Sequence, residues 1–183
     1  MIPRLLEKYR NEIVPEMMKS CNIKNKFAVP RVEKIVVNMG VGEAIQDVKI
    51  LEKAMDELAT ITGQKPIMRR AKKAISNFKV REGQAVGCKV TLRRARMYEF
   101  MDRLINIALP RIRDFRGVPL DSFDKGGNYT LGLTEQGIFP EIEFDRISRT
   151  QGMDVTFCIR NGKKIEYSRA LLKLFGMPFQ TKE

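Results

Sequence analysis

Between Gln64 and Arg96 the chain runs QKPIMRRAKKAISNFKVREGQAVGCKVTLRRAR, and nearly every charge in it has one sign. Lys65, Arg69, Arg70, Lys72, Lys73, Lys79, Arg81, Lys89, Arg93, Arg94 and Arg96 are cationic, and Glu82 is the only carboxylate set against them. Ammonium and guanidinium groups at this density neutralise an array of anions and release its counterions. Self-repulsion on this scale disfavours a free fold, so the stretch calls for a polyanionic partner, nucleic acid first.

Two elements must carry these cations. Ala85 to Arg93 places Val86, Cys88, Val90 and Leu92 on one parity and Lys89, Thr91 and Arg93 on the other, the period of a strand with one buried face. Lys and Arg are therefore expected along one side of a sheet. From Ala71 to Gln84 no period holds, and Ser76, Asn77, Gly83 and Gln84 predict a long exposed basic loop with a single aromatic, Phe78. Such a loop is either a solvated turn without a partner or a contact in which Phe78 stacks or wedges on a nucleotide.

At 183 residues the chain fits a single domain, 1–183, able to bury about 70% of the surface its unfolded form exposes. A net charge of +12 requires an acidic partner: nucleic acid, an anionic membrane or an acidic protein. The opening MIPRLLEKYRNEIVPEMM interleaves charge too often for a signal peptide, and no run approaches a membrane span, so a cytoplasmic protein is expected. Cys21, Cys88 and Cys158 lie far apart and suggest buried thiols, neither a disulfide framework nor a zinc site. Histidine is absent, which removes the usual triads, metal ligands and general base; no cofactor or metal is expected.

Taken in order, Pro3 with Leu5, Leu6, Tyr9, Ile13 and Met17 predicts an amphipathic helix that packs on the core and that Pro15 kinks or ends. RVEKIVVNM predicts a strand, followed by GVGEA and a helix from Asp47 as N-cap, through Ile50, Leu51, Ala54, Leu58 and Ile61, to Gly63 as C-cap. The glycines resemble half of a nucleotide fingerprint, but Ile45 stands where the third Gly is needed, so a tight turn is expected instead. A third helix carries Met97, Phe100, Met101, Leu104, Ile105, Ala108, Leu109 and Ile112, with Pro110 distorting its end. RIRDFR then groups Arg111, Arg113 and Arg116, either as an anion contact or paired in solvent with Asp114 and Asp121. NYTLGLTE and MDVTFCIR predict two more strands around GIFPEIEFD, and a last helix runs from about Lys164 to Phe175, closing on Gly176. The sum is an α+β fold: a sheet packed with about four helices and a long basic loop.

Common RNA modules do not fit. VGCKVTLRR lacks the stacking aromatics of an RNA-recognition motif, and no G-x-x-G occurs. A polar, cationic face with Asn38, Gln64 and Thr91 suits phosphates, 2′-hydroxyls and the shape of a folded RNA. Here the chain resembles a known family. KIVVNMGVGEA (34–44), ITGQKP (61–66), GCKVTLRR (87–94), RIRDFRG (111–117), GNYTLGLTEQ (127–136), FPEI (139–142) and LLKLFGMPF (171–179) together resemble the bacterial form of the large-subunit ribosomal protein L5 family, which binds 5S ribosomal RNA. The likeness covers nearly the whole chain. It departs from the family at Arg69, where a small hydroxyl residue is usual, and at NGKKIEYS (161–168), where an acidic stretch is usual.

The resemblance implies a five-stranded, mainly antiparallel sheet and a structural role in the cytoplasmic ribosome. The partners would be 5S rRNA, 23S rRNA, peptidyl-site tRNA, a small-subunit head protein across an intersubunit bridge, and neighbouring 5S-associated ribosomal proteins. Matching motifs imply 5S rRNA contacts at Lys34, Asn38, Gln64 and Thr91, to which the basic face adds Lys65, Arg69, Lys89 and Arg93. Lys72, Lys73, Ser76, Asn77, Phe78, Lys79 and Arg81 would form a loop directed at tRNA, and Arg111, Arg113 and Arg116 the bridge. Two other classes stand against this reading. A nuclease would use Asp121 and Asp124, or Glu141, Glu143 and Asp145, to hold a divalent metal. A membrane binder is disfavoured because the basic stretch is strand and loop, not an amphipathic helix.

Overall fold

The computed structural model describes residues 2–143, 149–162 and 164–180. Its five strands form one antiparallel sheet in the order β2-β3-β1-β5-β4. These are β1 (Arg31–Gly40), β2 (Ile67–Arg70), β3 (Ala85–Leu92), β4 (Tyr129–Leu133) and β5 (Met153–Arg160). The helices are α1 (Arg4–Lys8), α2 (Val14–Ser20), α3 (Val48–Thr62), α4 (Arg94–Arg103) and α5 (Ile165–Phe175). The chain divides into two compact units, the first made of Met1–Ile35, Leu92–Leu131 and Thr156–Glu183, the second of Val36–Thr91 and Gly132–Val155.

In the first unit, α1 and α2 run on through a π-helical turn, Tyr9–Ile13. Pro15, expected to kink or end this helix, sits in the first turn of α2, and the wider π turn before it accommodates the ring and the missing N–H. The same device follows α4, which passes into a π turn, Leu104–Ala108, and a 3-10 turn, Leu109–Arg111, that holds Pro110. Leu5, Ile13 and Met17 are buried with Phe100, Met101, Leu104, Leu171 and Leu172, as their helical spacing requires. Tyr9 stacks on Phe175 with ring centroids 6.0 Å apart, and its hydroxyl donates to the Pro30 carbonyl at 3.0 Å. Burial, with Tyr98 nearby, pushes that phenol up to about 12.

A second cluster joins Phe123, Tyr129, Phe157 and Phe179. Beside it the Asp124 carboxylate accepts the N–H groups of Gly126 and Asn128, each at 2.8 Å, and the Asn128 side-chain amide at 2.8 Å. Asn128 Oδ1 in turn accepts the Ile159 N–H at 3.0 Å, so one Asx turn fixes the entry to β4 against β5.

The second unit is built on α3. Asp47 caps it by accepting the Lys49 N–H at 2.9 Å, and Gly63 ends it in the left-handed region at φ 65. Leu51, Ala54, Leu58 and Ile61 are buried as the spacing predicts, together with Val37, Met39, Cys88 and Val90. The segment Gly42–Ile45 is a 3-10 turn, the tight turn expected of GVGEA. Sequence alternation did not reveal β2: four residues, mostly exposed, cannot show a period. Its register on β3 pairs Ile67 with Lys89 and Arg69 with Gly87, with an irregularity before Arg70.

Gly87 stands where a Cβ would run into the Met39 carbonyl oxygen, so only glycine lets β3 lie this close to β1. In the segment after β4, Gln136 is 1% exposed. Its amide donates to the Arg149 carbonyl at 2.6 Å and to Glu57 at 3.3 Å, and its carbonyl accepts the Gln151 N–H at 2.7 Å. No sequence signal marked this clasp.

Among the described residues, no helix is long and apolar enough to cross a membrane. The three cysteines are free thiols, but only Cys88 is fully buried; Cys21 and Cys158 are partly exposed, because their strand and helix-end positions face away from the core.

Candidate nucleic-acid interface

On β1 the side chains of Ile35, Val37 and Met39 are wholly buried, whereas Lys34, Val36 and Asn38, of opposite parity, are half-exposed. On β3, Cys88, Val90 and Leu92 are buried and Lys89 and Thr91 half-exposed. The predicted alternation holds there except at Val86, which is half-exposed while Ala85 is buried. β2 adds Arg69, placed beside Lys89 on the same side by its pairing with Gly87. Arg69 thus pairs with a residue without a side chain.

Gln64 and Lys65 follow the C-cap of α3. The Gln64 carbonyl accepts the Thr62 hydroxyl at 3.1 Å, and its amide donates to the Thr91 carbonyl at 3.3 Å, so both halves of the residue are held. The second unit therefore brings together Asn38, Gln64, Lys65, Arg69, Lys89 and Thr91. Lys34 lies on the same side of β1 but belongs to the first unit, as do Arg93, Arg111, Arg113 and Arg116.

Arg93 corrects the expectation that it lines the sheet. It is the residue before α4, one past the end of β3, and its guanidinium sits 3.5 Å from Glu33. Arg111, Arg113 and Arg116 are all exposed around a turn in which Asp114 takes φ 53 and pairs with Arg113 at 3.8 Å. That pair is almost fully solvated, so it is worth little.

From 71 to 84 the chain is a closed hairpin, with backbone pairing where composition suggested a loop. Ala71 and Gln84 pair at 2.8 Å, Gly83 donates to the Ala71 carbonyl at 3.0 Å, and Ile75 and Val80 exchange bonds of 2.9 and 3.2 Å. Arg70 braces the base by donating to the Gly83 carbonyl at 2.9 Å. The tip is a 3-10 turn, Ser76–Phe78, closed by Lys79 at φ 54, a conformation that costs a lysine free energy and is held here by the Lys79 N–H to Ser76 carbonyl bond. Phe78 is 71% exposed, and Lys72, Lys73, Lys79 and Arg81 are exposed with it. The backbone bonds between Ile75 and Val80 could not be read from side-chain types.

Among the described residues, the carboxylates weighed for a metal-dependent nuclease form no metal-holding group. Both oxygens of Asp124 are taken by the Asx turn, which holds its carboxyl below the usual range, with Asn128 as the main cause. No group of three His, Cys, Asp or Glu able to hold a metal occurs among the described residues, and Asp145 lies outside them.

An antiparallel α+β sheet with polar and cationic residues gathered on β1, β3 and β2, and a basic hairpin continuing from β2 and β3, is the build of a protein that binds a folded polyanion. The chain matches two family models, one described as ribosomal protein L5 over residues 25–81 and one as the ribosomal L5P family C-terminus over residues 85–179. It is similar to large ribosomal subunit protein uL5 of Geotalea uraniireducens, 56% identical over 177 residues that cover 97% of this chain and 98% of that one. It is also similar to the proteins of the same name from Clostridium acetobutylicum, 55% identical, and Clostridium tetani, 54% identical, each over 98% of this chain and 99% of the relative. The chain belongs to the ribosomal protein L5 family, and it is a structural protein, not an enzyme.

Proposed function

We propose that this chain works in the large ribosomal subunit, in the cytoplasm, by holding 5S ribosomal RNA on the side of β1, β3 and β2 that carries Asn38, Lys89, Thr91 and Arg69 in the second unit. Gln64 and Lys65 border this surface, and Lys34 and Arg93, in the first unit, contact the RNA as well. The observation that carries this reading is the gathering of Asn38, Gln64, Lys65, Arg69, Lys89 and Thr91 in one unit, half-exposed or exposed, beside a fixed Gln64 amide. Relatives that bear the name of large-subunit proteins support the placement. Neutral polar groups held in place discriminate an RNA, whereas the lysines and arginines around them supply charge.

The hairpin reaches beyond the sheet and is directed at peptidyl-site tRNA, through Lys72, Lys73, Ser76, Asn77, Phe78, Lys79 and Arg81. The Arg111–Arg116 turn faces a protein of the small-subunit head, and 23S rRNA and the neighbouring 5S-associated proteins complete the surroundings. The test is a titration against 5S RNA and an unrelated structured RNA over a range of salt. Affinity for 5S RNA should be at least about tenfold tighter and should fall with a logarithmic salt slope of roughly −3 to −5, as for five or so neutralised phosphates. Equal affinities, or a flat salt response, would sink the proposal.

A further inference from the structure

Phe27 is 88% exposed, more than any other large hydrophobic side chain described. Its backbone is nonetheless fastened. Asn25 accepts the Phe27 N–H through Oδ1 at 2.9 Å, the Ala28 N–H bonds the Asn25 carbonyl at 2.9 Å, and the Asn161 amide donates to the Phe27 carbonyl at 3.0 Å. Immediately after it Val29 and Pro30 are buried, and Pro30 accepts the Tyr9 hydroxyl. A turn fixed from several directions thus holds an aromatic ring out in water, which folding alone does not favour.

The charges beside it have one sign. From Met17 to Val32 there is no carboxylate, while Lys19, Lys24, Lys26 and Arg31 are cationic; Lys24 and Lys26 precede the ring, and Arg160 adjoins Asn161. An apolar pocket on a protein would also take a phenylalanine. Cations flanking the ring in a stretch of sequence that holds no carboxylate favour a chain of phosphates, whose bases offer a π-face.

We propose that the 3-10 turn Lys26–Ala28 is a second RNA contact, distinct from the sheet and the hairpin, in which Phe27 stacks on an unpaired nucleobase while Lys24 and Lys26 meet its flanking phosphates. The proposal rests on the ribosomal-RNA reading above. The backbone under the ring is pre-set, so stacking leaves only the side chain to be ordered on the protein side. The unpaired base belongs either to 5S RNA or to 23S RNA.

The test uses the full chain with Phe27→Ala, Phe27→Leu and Phe27→Trp, titrated separately against transcribed 5S RNA and 23S RNA, with Thr91→Ala in parallel. Loss of affinity by about tenfold or more in both Phe27→Ala and Phe27→Leu, on one RNA, supports the stack and names its source. The chain has no tryptophan, so Phe27→Trp supplies a sole reporter. It should keep wild-type affinity, and that same RNA should quench its fluorescence. Wild-type binding by Phe27→Leu, or an unquenched Trp, overturns the stack. If Thr91→Ala weakens binding and Phe27→Ala does not, only this proposal falls; if neither weakens either RNA, the RNA reading falls with it. Normal RNA affinity with failed incorporation of Phe27→Ala into large subunits would overturn it in favour of a protein neighbour.

Discussion

The side-chain amide of Gln64 donates to the main-chain carbonyl of Thr91 at 3.3 Å, tying the turn after α3 to the end of β3. The bond fixes Gln64 through its own side chain but leaves the Thr91 hydroxyl out of the tie. The two residues should therefore respond differently to truncation. Gln64→Ala should cost about 1 kcal/mol of folding stability as well as RNA affinity, because it removes a half-buried hydrogen bond. Thr91→Ala should leave urea stability nearly unchanged and cost roughly 1–3 kcal/mol for 5S RNA, with little effect on an unrelated RNA. Equal losses on both RNAs would mean that these residues support the fold and do not read the ligand.

Gly87 and Gly40 make a matched pair on adjacent strands. A methyl at Gly87 meets the Met39 carbonyl oxygen, an atom of backbone that cannot swing aside, whereas at Gly40 nothing lies within 4 Å. Gly87→Ala should lower stability by about 1–3 kcal/mol or prevent folding, and Gly40→Ala should be close to neutral. Urea midpoints of the two variants check this, and similar midpoints would show that β3 can move away from β1.

Asp124 gives the fold a dependence on acid. Its folded-state pKa is depressed, first by the Asn128 side chain, so its contribution to stability is present above the unfolded value of about 3.9 and is lost as pH falls through the lowered folded value. Asp124→Asn keeps an acceptor oxygen for the turn but removes the charge. Its urea midpoint should therefore fall less steeply than wild type from about pH 4 downward, and parallel curves would place the acid sensitivity elsewhere.

How far these features were legible follows from what side-chain types encode. α3 could be read with its caps because Asp47, the apolar spacing and Gly63 each state a local rule that tertiary contacts leave standing. NYTLGLTE and MDVTFCIR were legible as the strands β4 and β5, and β3 showed itself by alternation and β1 by its β-branched residues. β2 did not, since a short exposed edge strand is held by backbone bonds to β3 that no side chain announces. Pro15 marked the interruption of the first helix but not its form, because a π turn that accommodates a proline depends on packing of the helix and not on the residue alone. In the site, Lys89 and Thr91 were legible by parity, and Asn38 through the likeness of its motif to the family. The Gln64 bond, the Gln136 clasp and the fastening of Phe27 join residues distant in sequence, so no local pattern carried them.

The hairpin from Ala71 to Gln84 can be shortened without disturbing its root. Ala71 pairs with Gln84 and Gly83, and Arg70 braces the Gly83 carbonyl, so the bonds that close its base lie outside Lys73–Glu82. Replacing Lys73–Glu82 by a short Gly-containing turn removes the Ile75–Val80 pairing, the strained Lys79, the exposed Phe78 and the cations Lys73, Lys79 and Arg81. None of these side chains is buried in the core, so the folded state should lose no more than about 1 kcal/mol, the scale of a change in loop-closure entropy. Affinity for 5S RNA should likewise stay within a few-fold of wild type, because Asn38, Gln64, Lys89 and Thr91 keep their supports. Ribosomes assembled with the shortened chain should release peptidyl-site tRNA faster, having lost its phosphate contacts and the stacking face of Phe78. Dissociation of labelled tRNA from the two kinds of ribosome measures this directly. Unchanged dissociation together with lost 5S RNA binding would move the hairpin from tRNA to ribosomal RNA and make it part of the same surface as the sheet.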